Sequence, residues 1–205
     1  NMNKKNVLIT GVTGTIARQL AHKLYYDNRV NYIIGISNED KPYYFNEFDK
    51  NKFKFIKLDI LKSRDLANLF LADEFNESNI DTVVHCAFIS NYHENKNKAH
   101  IINVLGTKNI LDKCLQDKKI KKFIFLSSGL VYKLAGNNNV FIDENHELNL
   151  DSNIHPFIKD MVDAEFLCRV KMDSQSLKIV ILRPSGIIGR NIKSPLNLLL
   201  ESFVC

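Results

Sequence analysis

The segment Thr10-Gly11-Val12-Thr13-Gly14-Thr15-Ile16-Ala17 follows a short β-branched run and opens a stretch of helical period. A glycine turn in that place lets backbone approach a diphosphate, while the unpaired N–H groups and dipole of the helix start attract its charge. Gly11 and Gly14 would make the close approach, with Thr15 and Ile16 on the first helical turn. Glycine spacing alone also suits a tight turn without a ligand. What favours phosphate is the position, after the first strand and at the head of an alternating β/α chain. In dinucleotide-binding folds the second strand ends near a carboxylate that reads the adenine ribose. Here it ends Ser37-Asn38, which neither repel nor grip a 2′-phosphate, so NAD and NADP both stay open; Glu39 and Asp40 lie slightly late but could reach back.

The elements that must hold this turn are legible as alternation. Apolar runs at 6–10, 31–36, 53–57, 81–86, 122–127 and 178–182 read as strands, and helical periods fall at 15–27, 63–73, 99–117 and 157–173. The expected fold is α/β, a doubly wound parallel sheet of Rossmann type with helices on both faces. Residues 39–51 read as a polar and aromatic loop, and 135–155, with Gly136-Asn137-Asn138-Asn139, as a long excursion where function would be expected. Within 205 residues no second core is required.

Composition narrows the function classes. Hydrophobic content of 45% with 25% charged residues is that of a soluble protein, without a bilayer-length apolar run or a signal-peptide core, so a cytoplasmic location is expected. Cys86, Cys114, Cys168 and Cys205 are scattered, and the six histidines form no His-Glu-x-x-His signature, so no metal is expected. The net charge is +5, and the basic run Lys118-Lys119-Ile120-Lys121-Lys122 lacks interleaved aromatics. It reads as a solvated helix end rather than a nucleic-acid contact.

Several landmarks in order resemble the extended short-chain dehydrogenase/reductases, the NAD-dependent epimerases and dehydratases that act mostly on nucleotide sugars. The glycine turn matches their Thr-Gly-x-x-Gly-x-x-Gly with Ala17 in the last place. Leu58-Asp59-Ile60 is similar to the adenine-binding element, and Val83-Val84-His85-Cys86-Ala87-Phe88 to the turn lying along the cofactor. Asn103-Val104-Leu105-Gly106-Thr107 matches Asn-Val-x-Gly-Thr, and Leu182-Arg183-Pro184 through Gly189 matches Leu-Arg-Pro-x-x-x-x-Gly. The resemblance implies cofactor contacts at Gly11, Gly14, Thr15, Ile16, Ser37, Asn38, Asp59, Ile60, Cys86, Ala87, Phe88, Asn103, Pro184 and Ile187. It implies a dinucleotide-binding domain over 1–190 and, over 191–205, the start of a truncated substrate lobe.

The same resemblance puts the catalytic hydroxyl on Ser128, four residues before Tyr132. In the family a tyrosine takes the proton of a sugar hydroxyl, and a lysine four residues on holds the cofactor ribose and lowers the tyrosine pKa. Aligned on Pro156 and Glu165, those positions hold Phe157 and Met161, and neither carries a proton. Lys159 would point about 160° away from the required face. The Tyr92 to Lys96 pair has the right spacing but lies between the fourth strand and fourth helix.

Three readings follow. One is a nucleotide-sugar-modifying protein in which Tyr132, Asp143 or Glu144 replaces the proton acceptor. The second is a non-catalytic NAD(P)-binding sensor or scaffold, for which the family's helix pairing implies a homodimer. The third is a decayed paralogue.

Overall fold

The chain builds one six-stranded, all-parallel sheet in the order β3-β2-β1-β4-β5-β6. A computed structural model describes residues 4–90, 96–136, 141–173 and 176–186. The strands are β1 (Lys5–Thr10), β2 (Val30–Ser37), β3 (Phe53–Lys57), β4 (Thr82–His85), β5 (Lys122–Leu126) and β6 (Lys178–Leu182). The helices are α1 (Thr15–Tyr26), α2 (Ser63–Leu71), α3 (Asp73–Glu77), α4 (Lys96–His100), α5 (Thr107–Gln116) and α6 (Pro156–Arg169). Parallel strands covered on both faces can be apolar throughout, and β1, β2 and β4 accordingly bury nearly every residue. The chain reverses winding direction between β1 and β4, the switch point at whose carboxyl edge ligands of such sheets settle.

Two apolar cores sandwich the sheet. One packs Leu8, Ile34, Val83, Phe123 and Phe125 under α2, α5 and α6, and the other packs Ile9, Ile33, Ala17 and Ala21 under α1. Residues 39–51, expected as a loop, contribute to the second core. A short 3₁₀ turn at Tyr43–Phe45 carries Phe45 inward to 1% exposure, and Phe48 stacks on Tyr25 with ring centroids 4.1 Å apart.

The helix expected over 63–73 divides at Ala72, whose backbone is extended. Phe70 and Phe75 would lie on different faces of a continuous helix; the break lets both bury, with centroids 4.7 Å apart.

The helix expected over 99–117 is interrupted by a π-helical segment, Ile101–Gly106, between α4 and α5. Thr107 Oγ1 donates to the Asn103 carbonyl at 2.5 Å, so a hydroxyl takes the acceptor that the next backbone turn would use. Such bulges commonly re-aim side chains at functional sites, and this one places Asn103 and Thr107 in the interior, both fully buried. Residues 187–205, which include the expected start of a second lobe, and Tyr92 lie outside the described residues.

Candidate functional site

A cleft opens at the carboxyl ends of β1, β2 and β4. Gly11 and Gly14 form its floor, Ser37 and Asn38 one wall, Asp59 and Ile60 the next, and Cys86, Ala87 and Phe88 the opposite side. Glu39, which the sequence reading held could reach back, lines it, as do Thr13 and Leu58 of the quoted motifs; Ile89 and Ile102 had not been singled out. Adjacency to the expected positions was their only sequence signal.

Gly11 is required on two counts. Its φ is +64°, where a side chain is strained, and a Cβ there would stand 2.6 Å from Ala87 Cα and 2.8 Å from the Cys86 carbonyl oxygen. The turn therefore crosses β4 with backbone against backbone. Gly14 ends it in extended conformation, donates its N–H to the Gly11 carbonyl at 2.9 Å and starts α1 with no side-chain cap. The amides of the first α1 turn thus keep their capacity to meet an anion. Thr15 and Ile16 sit on that turn without bounding the cleft.

Behind the floor, His85 is fully buried between Thr10 Oγ1, 2.7 Å from Nδ1, and Thr107 Oγ1, 3.0 Å from Nε2. Thr107 has spent its single proton on the Asn103 carbonyl, so Nε2 must donate to it and Nδ1 must accept from Thr10. This assignment makes the imidazole neutral, in keeping with burial that lowers its pKa from 6.5 to about 3. The Cys86 thiol beside it is pushed up to about 12 by burial, so it is no nucleophile at neutral pH.

Asn103 stands behind the cleft. Its side chain clamps the Ile89 backbone, accepting from the N–H at 2.8 Å and donating to the carbonyl at 3.0 Å. Asp59 accepts the Leu61 N–H at 2.9 Å through Oδ1. Asp40 turns to Lys57 at 2.6 Å, leaving Glu39 as the carboxylate beside Ser37 and Asn38 on the cleft wall. No Lys or Arg is among the cleft's described lining.

The other half of the expected site differs. Met161 is 1% exposed and joins Val131, Leu148 and Val162 in an apolar cluster, with Phe157, Ile158 and Phe88 against it. Phe88 therefore touches both this cluster and the cleft. Ser128 lies two residues past β5 and accepts the Leu130 N–H at 3.2 Å, capping a short 3₁₀ turn. Lys159 is exposed.

Of the substitute proton acceptors, Tyr132 Oη accepts from Arg183 Nη1 at 2.9 Å, with the guanidinium 4.7 Å from its ring centre. Asp143 and Glu144 lie exposed on the loop. The strongest electrostatic feature here is structural. Glu165, fully buried, accepts from Arg183 at 2.6 and 2.9 Å and from Ser127 at 2.5 Å, tying α6 to the ends of β5 and β6. Pro184 offers its carbonyl to Gly129 at 2.7 Å and does not border the cleft, and Ile187 lies outside the described residues.

Comparison with known proteins adds relatives to this geometry. A model of the family described as "NAD dependent epimerase/dehydratase family" matches residues 7–201. The trifunctional UDP-glucose 4,6-dehydratase/UDP-4-keto-6-deoxy-D-glucose 3,5-epimerase/UDP-4-keto-L-rhamnose-reductase of Arabidopsis thaliana is 30% identical over 199 residues, covering 91% of this chain and 28% of the plant protein. The UDP-glucuronic acid 4-epimerase of Bacillus cereus in complex with NAD superposes with a TM-score of 0.73 at 26% identity, covering 91% of this chain and 58% of that one. Its complex with UDP-glucuronic acid and NAD gives a TM-score of 0.76 at 24% identity, covering 97% and 63%. The chain thus spans less than two thirds of the length of each. Among the described residues no helix is long and apolar enough to cross a membrane.

Proposed function

We propose a function from this premise: the chain belongs to the NAD dependent epimerase/dehydratase family, whose model matches residues 7–201. In our reading the cleft at the β1/β4 switch point binds a dinucleotide. The Gly11–Gly14 turn and the α1 start would face the diphosphate, Asp59 and Ile60 the adenine, and Ser37, Asn38 and Glu39 the adenosine ribose. A carboxylate on that wall and the lack of a lining cation favour NAD over NADP. The B. cereus epimerase bound to NAD supports the cofactor class, and its UDP-glucuronic acid complex supports a nucleotide sugar as the ligand beside it.

The proton shuttle is where this chain departs from its relatives. One observation carries that reading: Met161, at the position of the family's lysine, is buried in an apolar cluster, and half-buried Phe157, at that of the tyrosine, packs against it. No proton can pass between Phe157 and a sugar hydroxyl, and Met161 offers the cofactor ribose no hydrogen bond. Loss of a positioned acid/base costs about 10²- to 10⁴-fold. We therefore read the chain as a dinucleotide-binding module that holds cofactor without running the usual hydride exchange. Exposed Ile101, Leu105 and Phe166 on the neighbouring columns α4–α5 and α6 would suit pairing with a second copy, and a cytoplasmic setting fits this role.

Calorimetry with NAD and NADP, followed by assay with UDP-glucose and UDP-glucuronic acid, tests the reading. Expected are NAD binding tighter than NADP binding, no turnover in the native chain, and tighter NAD binding with F157Y/M161K. No binding at millimolar NAD would overturn the cofactor assignment, and turnover by the native chain would overturn the loss of the shuttle.

A further inference from the structure

His100 closes α4, while Asp160 and Asp163 lie on α6 some sixty residues later. The packing of the two helices brings one ligand atom from each to within 4.8 Å of the others. We propose that these three side chains form a site for a borderline divalent cation of the Zn²⁺ type. The site is separate from the dinucleotide cleft.

The donor set is the first reason. One imidazole nitrogen and two carboxylate oxygens suit a borderline ion, because imidazole favours Zn²⁺ while carboxylates accept it readily. Asp160 and Asp163 stand three residues apart and so share a helix face. His100 comes from a different element, so the ligand atoms converge in space rather than along one segment. Bond lengths of about 2.0–2.2 Å place the donor atoms around one ion about 3–3.5 Å apart. The cluster spans from 2.6 Å, between His100 Nδ1 and Asp160 Oδ1, to at most 4.8 Å. Side-chain rotation alone covers that difference.

Burial is the second reason. The Asp160 side chain is 3% exposed. A carboxylate so withdrawn from water needs strong compensation. Its partners include His100 at 2.6 Å and Asn103 Nδ2 at 3.4 Å. Half-buried Asp163 adds a second acidic group beside the single imidazole, so a divalent ion there would be bound by two carboxylates and one imidazole.

Access is the third. The His100 side chain is 52% exposed, so an ion can enter and keep water in its remaining coordination positions. The amide of Asn103 reaches Asp160 on one side and donates to the Ile89 carbonyl on the cleft wall at 3.0 Å on the other. None of His100, Asp160 and Asp163 lines the cleft, so cation binding is tested without nucleotide.

The test uses the full chain, stripped with EDTA and without added nucleotide. Titration with ZnCl₂ by calorimetry, with metal content after dialysis measured by atomic emission, should give one Zn²⁺ per chain at micromolar affinity and no heat from equimolar MgCl₂. H100Q and D163N should each weaken Zn²⁺ binding at least about tenfold. D163N should keep the native circular dichroism and the melting temperature measured in EDTA, whereas H100Q, which removes the 2.6 Å partner of buried Asp160, should keep the native circular dichroism with a lower melting temperature in EDTA. Zn²⁺ should raise the melting temperature of the native chain and leave that of H100Q unmoved. Less than a third of an equivalent bound at 100 µM Zn²⁺, affinity unchanged in either variant, or Mg²⁺ binding as well as Zn²⁺ would overturn the site. None of these outcomes bears on whether NAD binds.

Discussion

The glycine turn after β1 and the helix α6 flank the same edge of the sheet, yet they are built from different materials. The turn is main chain: Gly11 at φ +64° passes Ala87 so closely that no side chain fits, and its capacity to meet an anion belongs to amides that every residue possesses. The α6 half is made of side chains. Phe157 and Met161 sit in a cluster that is stable because they are apolar, on a helix that Glu165 ties to β5 and β6. A backbone-built site persists unless a glycine is lost. A side-chain-built site depends on the identity of every residue it uses.

The contrast can be broken most forcefully at the tie. E165Q would leave Arg183, whose side chain is 8% exposed, facing a neutral amide, and would remove the carboxylate 3.6 Å from Nε of Arg169 on the same helix. Removing one partner of a buried pair costs about 3–5 kcal/mol, so thermal melting should fall by roughly 10 °C. Met161→Ala should destabilise by about 2–5 kcal/mol through a cavity in the apolar cluster, read by urea unfolding, with NAD affinity changed far less than stability. If Met161→Ala instead abolished binding at unchanged stability, α6 would be part of the cofactor site.

On the backbone side, Gly11→Ala should weaken NAD binding at least about 100-fold, because the methyl must displace the β4 edge that shapes the cleft floor; each tenfold is about 1.4 kcal/mol. Gly14→Ala, with only the Gly11 carbonyl 3.2 Å from its new Cβ, should do less.

His85 sharpens the comparison through pH. Its folded pKa of about 3 lies below the unfolded 6.5, so the unfolded chain binds the extra proton between those values. Its contribution is fully present above pH 6.5 and is lost as pH falls, at about 1.4 kcal/mol per unit down to about pH 3. Denaturant titrations at several pH values should show that slope, and His85→Asn should flatten it. The smallest effect is expected at Ser128, where Ala removes only a cap, about 1 kcal/mol or less, and leaves NAD affinity unchanged.

Much of the frame was legible from alternation. The third and sixth strands, Phe53–Lys57 and Lys178–Leu182, run as their apolar, β-branched composition indicates, and the glycine turn stands where strand gives way to helix. The sequence pattern failed where packing overrode local period. Ala72 breaks a helix so that Phe70 and Phe75 can share a core, the Thr107 hydroxyl opens a π-helical segment, and Phe45 and Phe48 turn an apparent loop into core. Nor did residue spacing reveal the His100, Asp160 and Asp163 cluster, because no short segment contains all three.

The order of residues by itself determined the parallel sheet and the main-chain turn at its edge, since period and glycine placement act through neighbours a few positions apart. It also determined that no proton carrier stands at 157 or 161, because side-chain identity needs no folding to be known. Only the tertiary structure decided that those two residues close into an apolar cluster, that Glu39 rather than Asp40 faces the cleft, and that an imidazole meets two carboxylates across α4 and α6. Those outcomes depend on distances between elements far apart along the chain, and such distances are set by the packing of the whole core.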